Sequence, residues 1–165
     1  MNDCGVNRYR WGRLDIPSRP ECVPVVRHAI ARLAQQTSLS AEERGDLDLA
    51  VTEACANAVR HGSPQRERNT VCVAYFAGPD AVLVEIRDQG GGFSAAAKAP
   101  PAAGELRDGG YGIHIMRQVM DDVEIAWQGG TVVRLLKRRR QGRPFCVERT
   151  AARPATPVHT ADQRR

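Results

Sequence analysis

The chain has few aromatic residues and no long apolar run. Tryptophan, tyrosine and phenylalanine together make up 5% of its 165 residues. No stretch reaches the roughly 18 consecutive apolar residues of a membrane-spanning helix. The first residues, MNDCGVNRYRW, also lack the apolar block of a signal peptide. We therefore expect no membrane association.

Cysteine is present without the spacing of a metal site or a disulfide framework. The five cysteines stand at positions 4, 22, 55, 72 and 146, and none belongs to a CxxC pair. An odd number of cysteines without short spacings argues against structural zinc and against disulfides. This pattern fits a reducing compartment, and we expect a cytoplasmic location.

Positive charge is unevenly distributed along the chain, whose net charge is +5. Residues 138–165 hold eight arginines and two acidic residues, whereas residues 1–137 hold 16 basic and 17 acidic residues. The high isoelectric point therefore describes the end of the chain. We do not expect nucleic acid as a partner of the folded part.

A chain of this length is most simply one domain. We expect a flexible N-terminus (1–11), one folded domain (12–137) and a basic, disordered tail (138–165). Apolar periodicity in residues 21–36 predicts a helix that packs on a sheet through Val25, Val26, Ala29, Ile30 and Leu33. The other predicted elements are strands at 13–17, 70–77, 81–88, 122–127 and 131–137, and helices at 41–61 and 113–120.

The stretch LDLAVTEACANAVRHG, residues 47–62, carries two neighbouring rows of side chains. Glu53, Asn57 and His61 recur at steps of four and form a polar row on a helix. This row is either a solvated edge or a site that magnesium, water and phosphates would satisfy. The row beside it is apolar and predicts a buried face: Leu47, Val51, Ala54 and Ala58.

Two glycine-rich segments follow this helix. Asp88 ends the buried face of a predicted strand, just before Gly90-Gly91-Gly92. A charge there needs a strong donor, which is either the loop it caps or a bound ligand. Residues 109–112, GGYG, open a helix after a long loop of small residues, and a helix N-terminus of this kind suits phosphate.

Together the chain has E-x-x-x-N on a helix, D-x-G-x-G after a strand and G-x-G opening a helix. Their order and contexts resemble the N, G1 and G2 boxes of the GHKL ATPase superfamily. TEACANAVRHG, IRDQGGGF and GGYGIHIMRQVMDDVEI are most similar to bacterial anti-sigma-factor serine kinases of the SpoIIAB/RsbW type, and GGTVVRLLK resembles their closing strand. The similarity covers residues 12–137, nearly all of the expected domain.

The resemblance implies a two-layer α/β (α+β) sandwich of the histidine-kinase-like, or Bergerat, type. Its sheet is mixed but mainly antiparallel, with helices on one face. The resemblance also implies that ATP and Mg²⁺ bind between the helix at 41–61 and the loop of small residues. Glu53 is implied as general base and Asn57 as the magnesium ligand. The other implied cofactor-binding residues are His61, Asp88, Gly90, Gly92, Arg107, Gly110, Gly112 and Thr131.

Several of these positions keep a second interpretation. His61 either contacts phosphate or only ends its helix, and Thr131 is either near adenine or an ordinary strand residue. Family members can carry an arginine two residues before the first G2 glycine, where this chain has Asp108. Either the neighbouring Arg107 replaces that arginine, or the γ-phosphate is held less well.

The expected function is that of an ATP-binding anti-sigma factor with serine kinase activity. Its implied partners are an anti-anti-sigma protein with a STAS domain, which it phosphorylates, and a sigma factor, which it sequesters. The family also implies a homodimer. The alternative is a nucleotide-gated regulatory binding module without kinase turnover.

Overall fold

A computed structural model describes residues 8–91 and 111–140 of the chain. These residues form five strands and three α-helices, with short 3₁₀ helices at Pro20–Cys22 and Arg66–Arg68. The strands are β1 (Arg10–Pro17), β2 (Thr70–Gly78), β3 (Ala81–Arg87), β4 (Asp122–Trp127) and β5 (Thr131–Arg138). The helices are α1 (Val23–Ala34), α2 (Ala41–His61) and α3 (Tyr111–Val119).

The strands form a single sheet in the order β1-β2-β3-β5-β4. All four pairings in the described part of the chain are antiparallel. They include the pairing of β3 with β5, two strands that are neighbours in the sheet but are separated in sequence by α3 and β4. The expected sandwich of one mainly antiparallel sheet with helices is confirmed. Among the described residues it contains no parallel pair.

The core lies between the helices and one face of the sheet. Alternate residues of the central strands point into it, as period-two burial requires, and the apolar row of α2 packs on them. The predicted row at 47, 51, 54 and 58 is buried throughout. On the opposite face of the sheet, Arg134 bridges Glu85 and Glu124 across three neighbouring strands.

Helix α2 begins and ends where its local sequence predicts. Ser40 and Glu43 form a reciprocal capping box, in which each side chain accepts a hydrogen bond from the other residue's backbone N–H. At the other end, the N–H of Gly62 donates to the carbonyl of Ala58. The helix therefore runs through all three residues of the predicted polar row.

Two details differ from the expectations for the first elements. Strand β1 begins at Arg10, because residues 10 and 11 pair with Ala77 and Phe76 of β2, a partner distant in sequence. Val25 does not face the core but is 56% exposed. The helix buries Val23, Val26, Ile30 and Leu33 at steps of three and four, and Val25 lies off that seam.

Some predictions fall on residues that the structure does not describe. The loop of small residues at 94–108 lies outside the described residues, and so does the chain after Arg140. Within residues 8–91 and 111–140, no helix is both long enough and apolar enough to cross a membrane.

Candidate functional site

A cavity lies between α2, α3 and the end of the sheet where β3 finishes. It is partly open to solvent. Four of its lining residues are polar and were predicted as site residues: Asn57, His61, Asp88 and Thr131. The other walls are apolar, formed by Ala54, Ala58, Ile86, Ile113, Met116, Ile125 and Val133. Such a lining suits a flat apolar ring with a few polar edges.

Asp88 lies at the inner end of this cavity and is 7% exposed. Its Oδ1 accepts hydrogen bonds from the N–H groups of Gly90 (2.9 Å) and Thr131 (2.8 Å). Among the described residues, no donor reaches its Oδ2. The carboxylate therefore caps the loop with one oxygen and keeps the other as an acceptor, so the two interpretations of Asp88 are compatible.

Three glycines allow the chain to close around this carboxylate. A Cβ on Gly62 would overlap the Asp88 carboxylate, and a Cβ on Gly130 would overlap its backbone carbonyl oxygen. A Cβ on Gly90 would lie 2.7 Å from the Cα of Gly62, which is too close for ordinary packing. The end of α2 and the turns after β3 and β4 thus meet at Asp88 without intervening side chains.

Glu53 and Asn57 meet the first turn of α3 at the other end of the cavity. A Cβ on Gly112 would lie 2.9 Å from Glu53 Oε2 and 3.1 Å from Asn57 Nδ2. Neither side chain hydrogen-bonds to another residue of the described part, and both are half-buried. A carboxylate and a carboxamide therefore face the N-terminus of a helix, a place that favours anions.

The structure brings together most of the predicted site. Asn57, His61, Asp88 and Thr131 line one cavity, Gly90 closes it behind Asp88, and Glu53 and Gly112 stand at its rim. His61 itself is exposed. Three further predicted residues lie outside the described residues: Gly92, Arg107 and Gly110.

The donors present fit a magnesium ion held mainly by its nucleotide. No group of three histidine, cysteine, aspartate or glutamate side chains in the described ranges forms a metal-binding cluster. Magnesium in nucleotide sites takes one or two protein oxygens, with phosphates and waters as the remaining ligands. The Asn57 amide oxygen, in the cavity wall, has the chemistry of such a ligand.

The cysteines of the described region do not contribute chemistry to the site. Cys22, Cys55 and Cys72 are free thiols. Burial raises the pKa of Cys55 to about 12, and burial together with the neighbouring Asp15 raises the pKa of Cys72. Both thiols therefore stay protonated near neutral pH, which excludes them as nucleophiles.

Comparison with known proteins agrees with this geometry. The sequence pattern of the histidine kinase-like ATPase domain matches residues 16–137. The chain belongs to this family. Within the family it is 31% identical over 134 residues to the serine-protein kinase RsbW of Bacillus pumilus, covering 75% of this chain and 83% of the relative. The RsbW of Bacillus subtilis strain 168 is 27% identical over 139 residues, covering 79% of this chain and 87% of the relative.

One solved structure has the same fold. It contains the RsbU and RsbW domains of a Mycobacterium tuberculosis protein and superposes with a TM-score of 0.56 at 21% identity. The match covers 78% of this chain and 32% of that longer chain. The histidine kinase-like ATPase fold that the motifs predict is thereby confirmed.

Two residues that close the site were not predicted from sequence. Gly62 has an evident local role as the residue that ends α2, and Gly130 belongs to an ordinary hairpin turn. Their contact with Asp88 joins segments far apart in sequence. The only local signal is that each glycine stands directly beside a predicted site residue, His61 or Thr131.

Proposed function

We propose that this protein is an ATP-dependent serine kinase that phosphorylates a STAS-domain anti-anti-sigma protein and also sequesters a sigma factor. The observation that carries the kinase proposal is the placement of Glu53 beside Asn57 against Gly112, at the rim of a cavity that ends in Asp88. The names of the RsbW relatives support the same reaction.

The cavity suits the adenosine half of ATP. Its apolar walls take the faces of the purine, and Asp88 Oδ2 accepts a hydrogen bond from the exocyclic amine. A hydrogen bond to a charged group contributes about 1.5–3 kcal/mol. Gly90 and Gly92 let the base and ribose approach the backbone, and Thr131, which is bonded to Asp88 through its backbone, completes the adenine end.

The phosphates then extend toward the N-terminus of α3. Backbone N–H groups at Gly110 and Gly112 are proposed to bind phosphate oxygens, and Arg107 and His61 are proposed as further phosphate-binding residues. Asn57 holds Mg²⁺ through its amide oxygen; when bound, the ion neutralises phosphate charge.

Glu53 acts on the acceptor serine. Its carboxylate accepts the hydroxyl proton as the serine oxygen forms a bond to the γ-phosphorus. The bond from that phosphorus to the oxygen bridging to the β-phosphate breaks, and ADP leaves. General-base assistance of this kind is worth about 10²–10⁴ in rate.

The test is transfer of label from γ-labelled ATP to a cognate STAS-domain protein. We expect a labelled serine with the wild type. The Glu53→Gln variant should lose labelling by about 10²–10⁴ while it still binds ATP. Glu42→Gln is the matched control, because Glu42 is exposed in the first turn of the same helix and distant from the cavity. Failure of the wild type to label any cognate STAS protein would remove the kinase proposal.

A binding module without turnover is the second candidate, and Asp108 favours it. That residue stands where family members can carry an arginine toward the γ-phosphate. The same experiment separates the two functions. Retention of the STAS protein or of a sigma factor in the presence of Mg-ATP, without any labelled serine, would select the binding module.

A further inference from the structure

A hydrogen-bonded bridge centred on Gln89 joins the Asp88 segment to the loop that follows α2. The side-chain Oε1 of Gln89 accepts from the Nδ2 of Asn69 (2.9 Å) and from the N–H of Thr70 (2.9 Å). The backbone N–H of Gln89 donates to the carbonyl of Gly62 (3.2 Å). We call these three hydrogen bonds the Gln89 bridge.

The far end of the bridge is firmly held. Asn69 is buried, and its Oδ1 accepts from the N–H of Gln65 at 2.6 Å. Its backbone N–H donates to the carbonyl of Arg66 (2.9 Å), and its carbonyl accepts from the N–H of Ser18 (3.0 Å). Asn69, which donates a hydrogen bond to Gln89, is therefore fixed both within its own loop and to the segment after β1.

The Gln89 bridge lies directly beside the end of the cavity that holds Asp88. Gly62 follows His61 at the end of α2, and its Cα region contacts both the Asp88 carboxylate and Gly90. Any separation of the α2 end from the turn after β3 would widen this contact. It would change the distance between Asp88 on one side and Asn57 and His61 on the other.

We propose that Gln89 is a positioning residue for nucleotide binding, which fixes the spacing between Asp88 and the end of α2 through its acceptor oxygen. The inference rests on the proposed nucleotide site. Gln89 does not line the cavity and is itself exposed, so it acts through its neighbours. Because only Oε1 is used among the described residues, the chemistry required at this position is an acceptor.

Two variants of similar size distinguish the acceptor role of Gln89 from the effect of its side-chain volume. Gln89→Met keeps the length of the side chain and removes the acceptor, whereas Gln89→Glu keeps an acceptor oxygen. Isothermal titration with Mg-ATP should show a dissociation constant raised about tenfold for Gln89→Met, because only a fraction of the molecules then keeps the spacing that binds nucleotide. Gln89→Glu should remain within about threefold of the wild type. Gln36→Ala, an exposed glutamine beyond α1, is the control that should leave binding unchanged.

Kinase assays and thermal unfolding complete the test. A positioning role predicts a raised KM for ATP in Gln89→Met with kcat little changed. The melting temperature of this variant should fall, because Asn69 loses an acceptor, and the assays are therefore run well below it, where the fold is intact. Wild-type affinity in Gln89→Met, or an equal loss in Gln89→Glu, would overturn the inference. If the wild type itself bound no ATP, the proposed function would fail instead, so the two failures are distinguishable.

Discussion

The shape of the site depends on glycines, which leave room beside Asp88, as much as on the residues with functional side chains. Asp88 was predictable, because the alternation of β3 places it on the buried face and glycines follow it. The tight fit of Gly62 and Gly130 around it was not, because each contact joins segments that fold together from distant parts of the chain. Glu53, Asn57 and Gly112 were found from motif spacing, but their mutual contact required the structure.

Replacement of Gly62 by alanine should damage the site specifically. The added Cβ would overlap the Asp88 carboxylate, which has to move out of its position between Gly90 and Thr131. We expect ATP affinity, measured by titration calorimetry, to fall at least tenfold. Gly45→Ala is the matched control on the same helix, since nothing lies within 4 Å of its added Cβ. It should keep full affinity and stabilise the helix by up to about 1 kcal/mol.

The Asp88→Asn change tests Oδ2, the carboxylate oxygen that no donor among the described residues reaches. The asparagine oxygen can still accept from the N–H groups of Gly90 and Thr131, so the loop should stay capped. Its amide group then presents a donor to the adenine amine, where an acceptor is needed. We expect an affinity loss of about 10- to 100-fold for ATP with little change in melting temperature. Unchanged ATP affinity would exclude Asp88 as the adenine contact.

Whole elements were predicted best where their signals are local. The capping box and the two rows of α2 lie within one helix, and its bounds at 41 and 61 match the prediction. The start of β1 depends on its pairing with β2, so its first residues gave no local pattern. Val25 is apolar and yet exposed, because the position of a residue around the helix axis, and not its hydrophobicity alone, decides whether it is buried.

The stability that the capping box of α2 contributes to the fold depends on pH. Burial acts to raise the pKa of Glu43, but hydrogen bonds from the N–H groups of Ser40 and Arg140, the Ser40 hydroxyl and the charge of Lys137 lower it overall. A carboxylate with a lowered folded pKa stabilises the fold above its unfolded pKa, about 4.3 for glutamate. That stability is lost as the pH falls through the folded pKa.

Glu43→Gln should therefore be less stable than the wild type at pH 7, by about 1 kcal/mol, the typical value of a helix cap. The difference should shrink at pH 3, which lies below the ordinary pKa of glutamate, because the unfolded chain then binds the proton that the folded carboxylate resists. Urea denaturation at the two pH values measures it, with the exposed Glu42→Gln variant as control. An equal difference at both pH values would show that the charge of Glu43 contributes nothing.

At the scale of the whole molecule, the sheet and helices are joined at both ends of α2. Asp88 and the Gln89 bridge join the end of α2 to the sheet at one end. At the other, Lys137 of β5 is 3% exposed, and its Nζ donates to Asp46 Oδ2 of α2 (2.6 Å) and to the carbonyl of Val119 at the end of α3 (2.6 Å). From sequence alone, a lysine at the end of a strand is expected to be exposed to solvent. The burial of Lys137 could not be predicted, because its two partners lie on other elements.

Lys137→Met should consequently destabilise the whole domain. It leaves the Asp46 carboxylate and the last carbonyl of α3 without their donor, and the loss of one partner from a buried pair costs about 3–5 kcal/mol. Changing Asp46 to leucine in the same chain removes the orphaned charge and should restore part of the free energy of unfolding in urea. The exposed Arg27–Asp48 pair between α1 and α2 supplies the comparison: Arg27→Met should cost less than about 1 kcal/mol. Equal losses from the two lysine and arginine variants would mean that Lys137 is solvated and that α3 is held by its apolar contacts alone.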